Sequence, residues 1–181
     1  MARDAVAAHS EVIMVPEMEP ASERSQAVID PATAADLDAI HEIESHSIKV
    51  AWPRETFEAE LAREWARVDV VRDPHVIGFC NYWLIAPDHN RVGGEVHILS
   101  IATHPDRRRA GIGARLLAHA LDAARAIGAT LATLEVRRGN RPAIAMYERA
   151  GFRIVHVRTR YYQDDGEDAL VMLAELPPGR P

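Results

Sequence analysis

Hydrophobic positions along this chain change their period several times, and each change marks a predicted secondary-structure element. Leu37, Ile40 and Ile43 recur at intervals of three residues, which is typical of one face of a helix. From residue 67 to 103 the apolar residues instead form dense or alternating runs that predict three strands. Helical spacing returns at Ile112 and ends before Gly128, a residue type that often closes a helix.

Taken together, the pattern predicts the element order β-α-α-β-β-β-α-β-α-β-β, an α/β fold with a mixed sheet and helices on its faces. The later elements are a strand from Leu131 to Val136, a helix that follows Asn140 and ends at Gly151, and a final hairpin. That hairpin pairs residues 152–157 with residues 169–174 across a long polar tip.

We expect one domain over residues 26–177, because a chain of 181 residues is long enough for one sizeable core but short for two. Residues 1–25 are poor in aromatic and β-branched residues and rich in alanine, glutamate and serine, which predicts a disordered extension. Residues 178–181 are expected to form a short tail.

Composition is that of an ordinary globular protein, with 48% apolar and 27% charged residues. No apolar run reaches the roughly 18 residues of a membrane span and no secretory signal pattern is seen, so we expect a cytoplasmic protein. The net charge of −6 argues against a nucleic-acid partner.

Cys80 is the single cysteine, which excludes an intramolecular disulfide. The nine histidines lack metal-ligand spacing, so no metal is expected. Neither pattern nor composition indicates the oligomeric state.

A glycine-containing segment directly before the third predicted helix reads Arg108-Arg109-Ala110-Gly111-Ile112-Gly113. Glycines in such a place let backbone N–H groups approach an anion, and the start of a helix adds a partial positive charge. The segment lacks the spacing of the P-loop and of the dinucleotide-binding fingerprint. It resembles the Arg/Gln-x-x-Gly-x-Gly/Ala turn with which GNAT acetyltransferases bind the pyrophosphate of acetyl-CoA.

Further segments, in the same order as in that family, extend the resemblance to roughly residues 27–176. The matching segments are Glu95–Ala102, Arg108–Gly113, Leu134–Asn140 with Ala143–Phe152, and Tyr161–Tyr162 with Gly166–Ala169. Together they are similar to the RimI branch of the GNAT superfamily, which acetylates the N-terminal alanine of ribosomal protein S18, and to its archaeal relatives. Gly139 replaces the usual serine of that branch, which is expected to loosen its turn, and Met146 replaces a leucine, a benign exchange.

The resemblance implies that two residues handle protons during acetyl transfer. Glu135 would be the base that takes a proton from the attacking amine, directly or through a water; by spacing alone it is a solvent-facing strand residue. Tyr147 would be the acid that protonates the departing thiolate; by helical spacing alone it is a core anchor. Direct transfer in a ternary complex needs no covalent intermediate, so Cys80 is expected to be a buried core residue.

The resemblance also implies where acetyl-CoA binds. The strand around Ser100 would pair with the pantetheine arm and supply an N–H to the thioester oxygen. Asn140 would cap its helix and also reach the cofactor, while Arg109 is either solvated or close to the 3′-phosphate. The predicted cofactor-binding residues are Leu99, Ser100, Ile101, Arg108, Arg109, Ala110, Gly111, Ile112, Gly113, Ala114 and Asn140.

Aromatic residues are the candidates for holding the acceptor. Trp52, Tyr161 and Tyr162 either flank the entrance for a peptide, as the resemblance implies, or are ordinary packing and loop residues. The predicted function is transfer of an acetyl group from acetyl-CoA to the N-terminal α-amine of a peptide or protein, with ribosomal protein S18 as the implied partner. Two alternatives are an acetyltransferase for a small-molecule amine and a non-catalytic acyl-CoA-binding protein that kept the fold.

Overall fold

The fold is built on one seven-stranded sheet in a computed structural model that describes residues 27–87 and 93–177. The predicted extension over residues 1–25 and the predicted tail over residues 178–181 lie outside the described residues. Residues 88–92 also lie outside the described residues. The domain boundaries at 26 and 177 therefore stay predictions.

The predicted order of strands and helices is confirmed over the described residues. The helices are α1 (Leu37–Ser47), α2 (Arg54–Leu61), α3 (Ile112–Ala126) and α4 (Arg141–Arg149). The strands are β1 (Val28–Pro31), β2 (Ala66–Arg72), β3 (Val76–Ile85), β4 (Gly94–Thr103), β5 (Ala129–Arg137), β6 (Arg153–Arg158) and β7 (Ala169–Glu175).

The strands are arranged in the order β1-β2-β3-β4-β5-β7-β6. β4 and β5 run parallel, and every other neighbouring pair is antiparallel. A parallel pair needs a crossover, and α3 supplies it by running from the end of β4 back to the start of β5. The start of α3 therefore lies at the carboxyl end of β4, the edge of a parallel sheet at which ligands commonly bind.

Helices cover both faces of the sheet. On one face α3 and α4 pack on the strands, with Leu116 and Leu134 in a shared core. On the other face α1 and α2 form a second core, in which Ile40 and Phe57 surround Phe79 of β3. Side chains alternate along the strands, so that each strand contributes to both layers.

A buried ion pair fixes the point at which the chain leaves β1 and enters α1. Thr33 precedes a single 3-10 turn, Ala34–Asp36, that leads into α1. The buried carboxylate of Asp36 accepts hydrogen bonds from the Thr33 backbone N–H at 2.8 Å and hydroxyl at 2.9 Å. The Arg72 guanidinium donates to both carboxylate oxygens at 2.7 and 2.9 Å, and this contact lowers the pKa of Asp36 well below its ordinary range.

Replacing Asp36 by asparagine is expected to lower the free energy of unfolding by roughly 1–3 kcal/mol at pH 7, because Arg72 loses a charged, buried partner. The lowered pKa of Asp36 means that its contribution is complete above the unfolded-state pKa of about 4 and fades as the pH falls toward the native pKa. Urea unfolding of both proteins at pH 7 and pH 3 should therefore show a smaller difference at pH 3. An equal difference at the two pH values would contradict this account.

Candidate active site

The two parallel strands at the centre of the sheet separate part of the way along their length. β4 and β5 pair from their first residues as far as Ile98 and Leu134. Beyond that point β4 stays paired with β3, and β5 stays paired with β7. The facing edges of residues 99–103 and 135–137 therefore border an opening between the strands instead of bonding each other.

A β-bulge lies where the strands separate. Two adjacent residues of β3 are opposite Ile98 and Ser100, so Leu99 is the extra residue of β4. The bulge reverses the face of the sheet on which the following side chains lie. Ile98 packs in the core beneath α3, whereas Ser100, two residues later, bonds to Glu44 of α1 on the other face. The predicted thioester contacts, Leu99, Ser100 and Ile101, are thus the bulge and the two residues that follow it.

The predicted cofactor turn lies at the N-terminus of α3. Gly111 has a φ of 80° and directly precedes the first helical residue, and Arg109 has a φ of 64°. Glycine adopts this left-handed conformation without strain, and open space surrounds the position where a side chain of residue 111 would lie. The first N–H groups of a helix have no intrahelical partners and lie at the positive end of the helix dipole, an arrangement that suits an anion. Binding of the pyrophosphate at residues 110–114 stays a prediction.

Gly113 brings the start of α3 against its neighbours. A Cβ at this position would lie 3.3 Å from the Met146 sulfur on α4 and 3.9 Å from Ile101 on β4. The missing side chain therefore keeps the cofactor turn in contact with both the helix that carries Tyr147 and the free edge of β4.

Two predicted cofactor ligands have partners within the protein. Arg108 Nη2 donates to the His46 carbonyl at 2.8 Å and to Ser47 Oγ at 3.2 Å, at the C-terminal end of α1. Asn140 Oδ1 accepts a hydrogen bond from the Ala143 N–H at 3.3 Å and so caps α4 as predicted. The contacts of Arg108 and Asn140 with acetyl-CoA stay predictions.

Tyr147 is buried in α4, with its ring centroid 5.9 Å from that of Phe152. Burial raises the pKa of the Tyr147 hydroxyl, and the nearby Cys80 and Tyr162 raise it further. The side chain therefore packs as a core anchor and also keeps its proton at neutral pH. Cys80 itself is buried, as expected for a core residue.

Glu135 of β5 faces away from α3 and α4. Its neighbours Leu134 and Val136 are buried beneath those helices, so its carboxylate lies on the other face of the sheet. There Arg158 of β6 donates a hydrogen bond to the carboxylate. A hydrogen bond between Tyr161 and the same carboxylate raises the pKa of the Tyr161 hydroxyl. Glu135 is thus half-buried and partnered rather than solvent-facing.

The two tyrosines of the connection between β6 and β7 pack edge to face, with ring centroids 5.2 Å apart. The guanidinium of Arg158 lies 4.2 Å from the centre of the Tyr161 ring, and that of Arg137 lies 3.8 Å from the centre of the Tyr162 ring. Burial raises the pKa of Tyr162 to about 12. The structure therefore brings Tyr161, Tyr162 and Glu135 together beside the opening.

Charged residues that the sequence analysis did not single out hold this connection in place. Arg137, at the end of β5, donates to Asp164 at 2.8 Å and to Asp165 at 3.1 Å. Lys49, in the connection between α1 and α2, donates to Asp165 at 2.8 Å. Because Lys49 and Asp165 are 116 positions apart in the chain, no local spacing could have predicted this contact.

Gly139 lies in the turn before α4, which a hydrogen bond closes, and the expectation of a looser turn stays a prediction. The Gly139 N–H donates to Glu167 Oε1 at 2.6 Å, and a Cβ at position 139 would lie only 2.8 Å from that oxygen. Glycine therefore leaves the space in which a carboxylate of the β6–β7 connection closes the turn.

Trp52 lies in the connection between α1 and α2 and is half-buried. Its ring centroid is 5.8 Å from that of Phe57, and its carbonyl lies 3.1 Å from His41 Nδ1. The ring therefore packs against the core beneath α1 and α2. A contact between Trp52 and the acceptor stays a prediction.

Within residues 27–87 and 93–177, no three His, Cys, Asp or Glu side chains are grouped so that they could hold a metal ion. In the same part of the chain, every helix is too short or too polar to cross a bilayer.

The architecture and the site define the class of protein. The model of the Acetyltransferase (GNAT) family matches residues 37–152, from the first residue of α1 to the residue before β6, and the chain belongs to this family. The matched range includes the opening between β4 and β5, the turn at Gly111, and both Glu135 and Tyr147. The protein is thus an acetyl-CoA-dependent N-acetyltransferase.

Individual proteins are similar to this chain over most of its length. A Bacillus subtilis protein, provisionally assigned as a ribosomal protein bS18-alanine N-acetyltransferase, is 31% identical over 151 residues, which are 82% of this chain and 95% of that protein. The Escherichia coli ribosomal protein bS18-alanine N-acetyltransferase is 30% identical over 146 residues, or 80% of this chain and 94% of its own. The crystal structure of the ribosomal-protein-S18-alanine N-acetyltransferase from Escherichia coli matches with a TM-score of 0.72 at 28% identity, covering 84% of this chain and 96% of that one.

Gly111→Ala is expected to raise the Kd for acetyl-CoA at least tenfold and to destabilise the fold by roughly 1 kcal/mol, because alanine strains the left-handed turn that presents the N–H groups. Gly151→Ala is the matched control. It has a φ of 94°, equally open space for a Cβ, and a position after α4 away from the turn. Calorimetric titration should show weaker binding for Gly111→Ala alone, whereas equal weakening in both variants would contradict the assignment.

Proposed function

We propose that this protein transfers the acetyl group of acetyl-CoA to the N-terminal α-amine of a protein, with a chain like ribosomal protein S18 that starts with alanine or serine as acceptor. The observation that carries the proposal is the opening between β4 and β5, which has an anion site at one end and Glu135 with its tyrosines beside it. The names of relatives that this chain matches over four-fifths of its length support the acceptor class. Because bacterial ribosomal proteins and acetyl-CoA share the cytoplasm, we place the reaction there.

The donor half of the site fits acetyl-CoA. Residues 110–114 offer N–H groups to the pyrophosphate, and the open space around Gly111 leaves room for it. The free edge of β4 offers backbone N–H and C=O groups to the amides of the pantetheine arm. Acetyl-CoA supplies an activated thioester carbonyl. Backbone N–H groups at the Leu99 bulge stabilise the charge that develops on the carbonyl oxygen.

Glu135 and Tyr147 divide the two proton transfers. A peptide α-amine has a pKa of about 8 and is largely protonated at neutral pH, so a base must remove a proton before the nitrogen attacks. Glu135 takes that proton, directly or through a water, and the incoming amine displaces or shares the hydrogen bond from Arg158. As the new C–N bond forms and the C–S bond breaks, Tyr147 donates its proton to the sulfur of CoA. The nitrogen, now bonded to the acetyl carbon, releases its second proton to water, and Tyr147 regains a proton from the same water.

The acceptor side favours a peptide over a small polycationic amine. Tyr161 and Tyr162 offer aromatic surfaces and hydroxyl groups that suit a peptide backbone. The neighbouring Asp165 is already paired with Arg137 and Lys49, so its charge is not available to a polyamine. The ion pair between Lys49 and Asp165 also ties together the two connections that border this side of the site.

A peptide panel tests the proposed function directly. Peptides that start with Ala, Ser, Thr, Met or Glu would each be offered with a free or a blocked α-amine and with an internal lysine. We expect acetylation of the free α-amine only, strongest for Ala, as followed by thiol release and located by mass spectrometry. Transfer only to lysine or to small amines would contradict the proposal, and so would tight acetyl-CoA binding without any transfer.

Tyr147→Phe is expected to lower kcat by about 100-fold with little change in Tm, because phenylalanine keeps the packing but has no proton to give. Since burial raises the pKa of Tyr147, the wild-type kcat should not fall on the alkaline side below about pH 10. Tyr82→Phe is the matched control. Its buried hydroxyl donates to Asp69 at 2.6 Å, so this change should lower Tm and leave kcat unchanged. Equal loss of kcat in the two variants would contradict the role of Tyr147.

A further inference from the structure

Glu44, near the end of α1, is a buried carboxylate that neither the proposed mechanism nor the fold accounts for. The residue is only 1% exposed to solvent. One oxygen, Oε2, accepts a hydrogen bond from Ser100 Oγ at 3.0 Å, whereas Oε1 has no hydrogen-bond partner among the described residues. A buried polar atom without a partner destabilises a fold, so its presence calls for a reason other than stability.

Glu60 of α2 is a second buried glutamate in the same layer, and both of its carboxylate oxygens have partners. It is 2% exposed, and its two oxygens are bonded to Arg63 and, at 2.6 Å, to the Trp83 indole N–H. Glu44 lacks such a cation. Burial raises the pKa of Glu44, and only Ser100, the Trp52 backbone N–H and His41 oppose that shift.

Glu44 lies on the helix that connects the two sides of the reaction. Ser100, which bonds to Glu44, follows the Leu99 bulge, the part of β4 that faces the thioester in the proposed function. His41, one turn earlier on α1, lies 3.1 Å from the carbonyl of Trp52 in the connection between α1 and α2, which borders the acceptor side through Lys49. α1 therefore contacts the donor edge through Glu44 and the acceptor border through His41.

A second buried polar side chain without hydrogen-bond partners in the described part of the chain lies on the same face of the sheet. Asn81 of β3 lies directly opposite Ser100, is fully buried, and has no partner for either of its side-chain amide atoms among the described residues. Polar atoms without partners are therefore concentrated around the bulge, beneath α1. Stability favours apolar residues at such places, and function is the usual reason that polar ones are retained.

We propose that Glu44 is a positioning residue for acetyl transfer, which holds the Leu99 bulge of β4 against α1 through Ser100. Because α1 also contacts the acceptor connection through His41 and Trp52, this bond sets the distance between the thioester carbon and the attacking amine. The inference rests on the proposed function for the reaction that it serves. It adds a residue that acts through others, in contrast to Glu135 and Tyr147, which touch the reacting groups.

The test compares Glu44→Met, Glu44→Gln and Ser100→Ala with Glu60→Gln, a change at a similarly buried glutamate away from the bulge. Glu44→Met should lower kcat by about 10- to 100-fold, the order expected when reacting groups are misplaced by about 1 Å. The Kd for acetyl-CoA should change less than twofold, and Tm should stay the same or rise. Glu44→Gln should restore most of kcat, because its amide can still bond Ser100. Glu60→Gln should lower Tm and leave kcat unchanged.

A double variant tests whether Glu44 acts through Ser100. Glu44→Met with Ser100→Ala should be no slower than Glu44→Met alone, because residues acting in one chain of contacts are not additive. Fully additive losses, an unchanged kcat in Glu44→Met, or a loss explained by a smaller fraction of protein that binds acetyl-CoA would each overturn the proposal.

Amide hydrogen exchange needs no acceptor, so it tests the role of Glu44 independently of the proposed function. Amide hydrogen exchange at residues 99–101 should be faster in Glu44→Met than in wild type and unchanged in Glu60→Gln. If wild type acetylates no peptide, the proposed function fails, yet this exchange result still supports or overturns the link between Glu44 and the bulge.

Discussion

The loss of pairing between β4 and β5 is the constraint around which the rest of the site is arranged. Parallel strands that stayed paired to their ends would satisfy each other's backbone groups and leave no edge for a ligand. Here pairing ends at Ile98 and Leu134, and the bulge at Leu99 turns the next side chain to the opposite face. The start of α3 at Gly111 follows the free end of β4, so the proposed site would hold the phosphates of acetyl-CoA at the helix and its thioester arm along the strand.

The two sides of this opening are stabilised by different forces. Behind the donor edge, α3 and α4 pack in a continuous apolar core that fixes Tyr147. In front of the acceptor side, Lys49, Arg137 and Asp165 form ion pairs that are partly exposed. Ion pairs of this kind are screened by solvent and contribute little to stability. The side of the opening next to the β6–β7 connection is therefore held by weaker forces than the side that packs on α3 and α4.

Periodicity was enough to predict the order of elements, because amphipathic helices such as α3 and alternating strands such as β4 carry their burial pattern locally. The cofactor turn was predictable for the same reason, since its glycines and the helix that follows are contiguous. The meeting of Glu135 with Tyr161 depends on the sheet order β5-β7-β6, which brings a distant hairpin beside β5. No local pattern encodes that order, and only the resemblance to a family placed these residues in one site.

Some features could not have been predicted from spacing at all. Buried and half-buried residues alternate along β4 without interruption at the Leu99 bulge. The buried side chains nevertheless lie on opposite faces of the sheet before and after the bulge. Glu44 continues the helical stripe of Ile40 and Ile43, so its contact with β4 is not visible in the pattern. Arg108 was predicted at the cofactor, and in the structure its guanidinium lies on the C-terminal end of α1, where the carbonyl groups of a helix attract cations.

The most direct test of the central claim is amide hydrogen exchange over the full chain with and without acetyl-CoA. The account predicts that acetyl-CoA slows exchange at residues 99–101 and 110–114 together, because one ligand occupies both the edge of β4 and the start of α3. Slowing confined to another surface, such as the apolar groove lined by Trp65, Trp83 and Ile127, would contradict the account.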